Sequence, residues 1–255
     1  MLNQNELKDF LELKTNQYNN PNFIDLDPIS IPHQFSIKED IEISAFLVAT
    51  ISWGNRKSII KAGNDLMEKL GNSPFDFVIN ASVCQIDKLS NFYYRTFNGS
   101  DLIYFIKALR NIYLTHGGME NLFVNKDNDN NLFESIYHFR KIFFELPHEN
   151  RTRKHVSNPL SGSAAKRLHM MLRWLVRNDQ KGVDFGIWKQ INPSLLSCPL
   201  DIHSGNTARK LGLLKRKQND AKAVSELNDI LRFFDPKDPA KYDFALFGLG
   251  VIEKF

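Results

Sequence analysis

LSGSAAKRLHMMLRWLVRNDQKGVDFGIWKQINPSLLSCPLDIHSGNTARKLGL, residues 160–213, is the stretch on which the reading of this chain turns. It opens with a glycine-containing turn, enters a basic segment of helical period, crosses a loop and reaches a lone acid, Asp201, in Pro-Leu-Asp-Ile-His. Over 164–177, Leu168, Met171, Leu172, Leu175 and Val176 recur at i, i+3, i+4, i+7 and i+8, the pattern of a helix with one buried face. Lys166, Met170, Arg173 and Arg177 fall on a different face and form a cationic stripe. With Ser163 as the cap, Lys166 stands in the first turn, where the positive end of the helix dipole and the neighbouring Arg167 oppose a second charge. A lysine in its neutral form is a nucleophile able to form a Schiff base at a sugar carbon. Asp201 sits between an apolar Cys-Pro-Leu and the helical segment 203–211. That is a helix-capping position, and a carboxylate there can also stabilise a developing positive charge or help activate a nucleophile.

Outward from this stretch, the charge distribution is uneven. The chain of 255 residues carries 33 Lys and Arg against 29 Asp and Glu. From Arg151 to Arg177, and again from Ile202 to Asn219, there are basic residues and no acid. Basic charge gathered on both sides of the opening stretch suits a polyanion such as a nucleic-acid backbone. With 42% apolar residues and 20 Phe the chain can bury a substantial core. No apolar run is long enough for a membrane span. The polar start MLNQNELKDF lacks the regions of a secretory signal, which makes the cytoplasm the expected location. Two cysteines, Cys84 and Cys198, make neither a disulfide framework nor a four-cysteine metal cluster. The histidines have no zinc-ligand spacing, and phosphate-binding glycine loops, nucleophile elbows and dinucleotide motifs are missing.

Helical periods predominate and alternating strand patterns are almost lacking, so the fold class is all-α. A short helix is expected near Glu6 to Leu13, then an Asn- and Pro-rich loop. Ser36 and Glu39 have capping-box spacing, and the helix after them, apolar nearly all round, belongs at the centre of a bundle. Asn55 is placed to cap the next helix, which Gly71 ends. A short helix follows over 74–81, and amphipathic helices are expected over 101–113 and 131–146, with the polar loop NKDNDNN, residues 125–131, between the last two. Asp220 caps a helix reaching Phe234, and Asp238-Pro239 opens the last one, YDFALFGLG.

The opening stretch resembles the helix-hairpin-helix DNA glycosylases and their associated AP lyases. Their hairpin reads Leu-Pro-Gly-Val-Gly-x-Lys; here Leu160-Ser161-Gly162-Ser163-Ala164-Ala165-Lys166 stands in that place. Their Val-Asp-Thr-His and Arg-Leu-Gly-Leu segments correspond to Leu200-Asp201-Ile202-His203 and Arg209 to Leu213. The long interval between Lys166 and Asp201 is most similar to the archaeal 8-oxoguanine glycosylase branch. The chain departs from the pattern at Ser161 and Ala164, and Ser52-Trp53-Gly54-Asn55 stands where a glutamine is usual. The chain is also similar along nearly its whole length to a group of uncharacterised bacterial proteins that share SAxKR, LRWxVR, PLDxH and YDFALFGLG. The glycosylase resemblance implies two helical domains flanking a cleft, one formed by 41–178 and the other by 1–40 with 179–255. It implies a monomer that needs no cofactor or metal and acts on damaged duplex DNA. Lys166 would be the Schiff-base nucleophile and Asp201 the charge-stabilising carboxylate. Asp243, Phe247 and Trp53 would line a pocket for an extruded base. Gly162, Ser163, Arg167, Arg173, Arg177, Arg56, His203 and Arg209 would lie against the backbone. The alternative is a DNA-binding module that keeps the fold and has lost catalysis, and the altered hairpin motivates it.

Overall fold

The computed structural model describes residues 3–124 and 131–255. In chain order the elements are α1 (Gln4–Tyr18), α2 (Lys38–Ile51), α3 (Arg56–Lys69), α4 (Pro74–Asn80), α5 (Val83–Asp87), the strands β1 (Tyr93–Tyr94) and β2 (Phe97–Asn98), α6 (Gly99–Thr115), α7 (Met119–Phe123), α8 (Phe133–Phe143), α9 (Lys166–Val176), α10 (Ile202–Lys210), α11 (Ala221–Phe234) and α12 (Asp243–Phe247). The protein is thus mostly helical, as its periodicity predicts, with one antiparallel hairpin pairing Tyr93 with Asn98 and Tyr94 with Phe97. Proline-led 3-10 turns at Pro21–Leu26, Pro28–Ser30 and Pro32–Gln34 occupy the stretch expected as loop. Among the described residues no helix is long and apolar enough to cross a membrane. The polar loop expected at 125–131 lies outside the described residues except for Asn131.

The chain divides into two compact units, Met1–Phe23 with Asn125–Glu134 and Asn158–Phe255, and Ile24–Val124 with Ser135–Ser157. Sequence reading grouped the basic segment 164–177 with residues 41–178; its packing joins it to the C-terminal helices. The turn before α9 is bonded to the start of α11, with the Ala221 amide donating to the Gly162 carbonyl at 3.0 Å, and Arg173 of α9 and Arg177 just after it pair with Asp243 and Asp238.

The unit containing α2 is built on a helix buried nearly all round, from Asp40 to Ile51. Phe46 stacks on Phe105 and meets Phe139 and Phe143 edge-on, with ring centroids 5.3–5.5 Å apart. Such pairs contribute roughly 0.5–1.5 kcal/mol each beyond area burial. The polar groups on this helix find partners, as burial demands. Asp40 accepts the Phe75 amide at the start of α4, and Glu42 accepts the Tyr113 hydroxyl at 2.6 Å. The expected Ser36 box does not form: Ile37 is the cap residue, so Ser36 lies one position too early to reach the first free amides. Asn55 does cap α3, accepting from the Ser58 amide at 3.3 Å.

The other unit has an aliphatic core. Leu11 of α1 packs with Leu200, Ala208, Leu213, Val224, Leu227, Leu231, Ala245 and Leu246. Asp220 caps α11 as expected, accepting the Ala223 amide at 3.0 Å. Asp238 caps nothing, since its carboxylate accepts from Arg177 Nε at 3.0 and 2.9 Å. The last helical stretch, read as one helix, is a 3-10 turn at Pro239–Tyr242, then α12, then a π-helical turn at Gly248–Ile252.

One buried acid links fold to pH. Asp101 caps its own helix start reciprocally with Asn98 and receives Arg151 at 2.7 Å, Thr152 Oγ1 at 2.8 Å and His155 Nε2 at 3.2 Å. Burial pushes its carboxyl up, but the bonds from His155, Thr152 and the Asn98 amide outweigh this and hold it at about 2. The folded value lies below the unfolded one, so the stabilisation is complete above about pH 4 and is lost as pH falls through about 2. Asp101→Asn should therefore lower the neutral-pH unfolding free energy by about 2 kcal/mol or more and flatten its fall between about pH 4 and 2, read from urea melts across that range.

Candidate active site

The turn that carries Lys166 is specified residue by residue. Asn158 accepts the Leu160 amide and donates to Ser161 Oγ, closing the 3-10 turn Pro159–Ser161. Gly162 follows at φ +92°, where an L side chain is disfavoured although the space around its Cα is open. Ser163 pairs with Asp220 in an isolated antiparallel bridge. Its hydroxyl accepts the Ala165 amide at 3.1 Å, so Ser163 does not cap the helix as expected. Ala165 is the cap residue, left-handed at φ +44° and ψ +34°, without a side-chain bond to the helix. That conformation costs an alanine about 1 kcal/mol, and its buried methyl helps hold it there. Lys166 is then the first residue of α9.

Asp201 is fixed as the N-cap of α10. Its Oδ1 accepts the amides of His203 at 2.8 Å and Ser204 at 3.0 Å, and the Ser204 hydroxyl accepts the Asp201 amide in return. The Asp201 carbonyl accepts Asn219 Nδ2 at 2.7 Å, and Asn219 Oδ1 accepts from Arg209. Gly205 makes room for this clamp, since a Cβ there would lie 2.6 Å from Asn219 Oδ1. With Oδ1 committed to the helix, Oδ2 faces Lys166 Nζ at 3.8 Å. The side chains are 30% and 34% exposed, so solvent reaches the pair. At 3.8 Å this is an ion pair wider than a hydrogen bond. Lys166 and Asp201 belong to the same unit.

A buried set of charges lies electrostatically next to the pair. Arg173 is bonded to Asp243 and, at 3.3 Å, to Asp184. Burial raises the Asp243 carboxyl; Arg173 opposes this, Asp201 adds to it, Lys166 opposes it, and the group settles at about 6. Cys198 Sγ lies 3.7 Å from Asp243 Oδ1, and burial pushes its thiol well up. Neither Cys198 nor Asp184 was singled out from sequence. Cys198, three residues before Asp201, reads there as part of an apolar lead-in, and nothing local marks Asp184.

The remaining expected residues separate. Arg173 and Arg177 do not form a cationic wall. Both are buried, and Arg177 bonds Asp184, Asp179 and Asp238. The acid-free runs are therefore not acid-free in space: Arg151 pairs with Asp101 and Arg216 with Asp220 as well. Arg167 is partly buried, and burial brings its guanidinium down to about 10. His203 is exposed, and Arg209 donates to Asn219 and to the Arg216 carbonyl. Phe247 is half-buried and meets Phe23 edge-on at 5.5 Å. Trp53 and Arg56 lie in the other unit, Trp53 packed between Tyr94 at 5.6 Å and His155 at 6.3 Å. Among the described residues no group of three or more His, Cys, Asp or Glu side chains is arranged to hold a metal ion.

A family model described as a protein of unknown function (DUF2400) matches residues 27–252. The chain belongs to the DUF2400 family. No curated protein and no solved structure matches it. The DUF2400 match contains the whole site, from the turn before Lys166 through Asp201 to Asp243.

If Lys166 and Asp201 both act on Asp243 through space, their removal should have opposite effects. Lys166→Met is expected to raise the Asp243 titration above 6 and Asp201→Asn to lower it, followed by carboxyl-carbon NMR. Shifts of the same sign in both variants would show that the three groups do not form one electrostatic cluster.

Proposed function

We propose that this protein is a DNA repair enzyme, a base-excision glycosylase with AP lyase activity that acts on damaged duplex as a monomer. The observation that carries the reading is the solvent-reached pair of Lys166 Nζ and Asp201 Oδ2, 3.8 Å apart, with the other carboxylate oxygen fixed by the start of α10. An amine beside a carboxylate whose orientation is set by the backbone suits nucleophilic attack at a sugar carbon with charge support. The helix-hairpin-helix resemblance of the turn at Gly162 and of the Asp201 segment supports the same chemistry.

In this reading a damaged nucleotide is extruded from the stack to reach the pair. Nζ, an ammonium in the ion pair, first gives a proton to solvent, and the lone pair so exposed forms a bond to C1′ as the bond from C1′ to the base breaks. The base leaves with the bonding electrons and takes a proton from solvent, and Asp201 Oδ2 accepts the proton released from nitrogen. Opening of the C1′–O4′ bond, with O4′ protonated, gives the imine. Loss of a C2′ proton then expels the 3′ oxygen and cuts the strand. No organic cofactor or metal takes part in these steps.

Borohydride trapping on a duplex with an abasic or oxidised-purine site tests this. The wild type should give a covalent adduct, Lys166→Ala none, and Asp201→Asn an adduct formed about a hundredfold or more slowly. Salt-sensitive duplex binding with no adduct and no base release would instead identify a non-catalytic binding module. Failure to bind any duplex at low salt would remove DNA from the account.

A further inference from the structure

The helix that Asp201 caps has a second feature, on the face defined by His203, Asn206, Thr207 and Lys210 at i, i+3, i+4 and i+7. A groove of about 340 Å³ opens along this face and is lined as well by Gly250 and Phe255. Arg209 also reaches it, and none of its lining side chains is a carboxylate. The polar side chains lining it are an imidazole, a carboxamide, a hydroxyl, a guanidinium and an ammonium, all able to donate a hydrogen bond.

Two details mark the groove as a built site. Thr207 is only 1% exposed, and its Oγ1 has no hydrogen-bond partner among the described residues. A buried hydroxyl left unpaired is unfavourable, and an oxygen ligand in the groove would satisfy it. Gly250 is required where it stands, because a Cβ there would lie 2.7 Å from Thr207 Oγ1 and 3.2 Å from the His203 carbonyl. One of the two cations is held in place by hydrogen bonds. Arg209 is oriented by its bonds to the Arg216 carbonyl and Asn219, and Lys210 Nζ stands 5.7 Å from the Phe255 ring centroid.

We propose that this groove binds a phosphate group, with Thr207, Asn206 and Lys210 donating to its oxygens and Arg209 supplying a second fixed charge. The source is a phosphodiester of the DNA strand whose nucleotide occupies the Lys166–Asp201 pair; that part of the assignment rests on the proposed repair function. One helix positions both sites, since α10 spans only about 14 Å and Asp201 caps its start.

The full-length chain is titrated with inorganic phosphate by calorimetry, and with a duplex carrying a reduced abasic site by anisotropy over a range of salt concentrations. The variants are Thr207→Val, which keeps side-chain shape, and Lys210→Gln, an exposed position whose change leaves the core intact. Phosphate should bind the wild type and bind about tenfold more weakly to each variant. In Lys210→Gln the slope of log affinity against log salt should fall by about one. No uptake of phosphate together with an unchanged salt slope would overturn the proposal. Uptake of phosphate with an unchanged slope would overturn the assignment to DNA and leave a free phosphorylated ligand as occupant. The repair chemistry is read separately: Lys166→Ala should lose the borohydride adduct while keeping both phosphate uptake and the salt slope. Adduct failure in the wild type with these two retained would remove the enzymatic reading and leave the groove.

Discussion

The buried guanidinium of Arg173, held between Asp184 and Asp243, is the constraint on which the C-terminal unit depends. A buried charge is tolerated only when opposite charges and hydrogen bonds replace the water it has lost, and removing one member of such a set typically costs about 3–5 kcal/mol. Arg173 meets that condition by drawing one carboxylate from the loop that follows α9 and another from α12, far along the chain. Its guanidinium also lies 4.4 Å from the ring centroid of Phe244. Arg177, one turn further on, extends the set to Asp179 and Asp238. The loop after α9 is fastened in the same place, because the amides of Phe185 and Trp188 donate to the carbonyls of Trp174 and Leu175 at its C-terminal end. Those carbonyls would otherwise lack helical partners.

This anchoring organises the site. Once α9 is fixed through its C-terminal half, its first residue, Lys166, has a defined place. The long segment that follows returns the chain through Cys198 to Asp201, and the α10 cap sets the carboxylate so that Oδ2 faces Nζ. The helix therefore has a division of labour along its length, with an accessible amine at the start and neutralised, buried arginines toward the end. Asp243 belongs to both groups: it is bonded to Arg173 and also feels the charges of Lys166 and Asp201.

Much of the fold was legible because it depends on local physics. The all-round apolar character of α2 correctly marked a central helix, and Asn55 and Asp220 were read as caps because an N-cap needs only a short polar side chain before a helical period. Ser36 failed by a single position, within the uncertainty of any helix start. Asp238 had the right sequence for a cap, but its carboxylate is taken by Arg177, a partner that no local pattern could disclose. The cationic stripe failed for the same reason. Helical spacing places Arg173 and Arg177 on one face and says nothing about what covers it.

Sequence by itself determined that the chain is helical, that Lys166 lies in the first turn of the basic helix and that Asp201 precedes the next one. These follow from hydrophobic period and capping chemistry, which act over a few residues. Tertiary structure alone decided which charges meet. It brought Lys166 within 3.8 Å of Asp201, buried Arg173 against Asp184 and Asp243, and placed Cys198 beside Asp243. Charge pairing works through space, and its energy depends on burial and distance. Those quantities exist only once segments far apart in the chain have packed together.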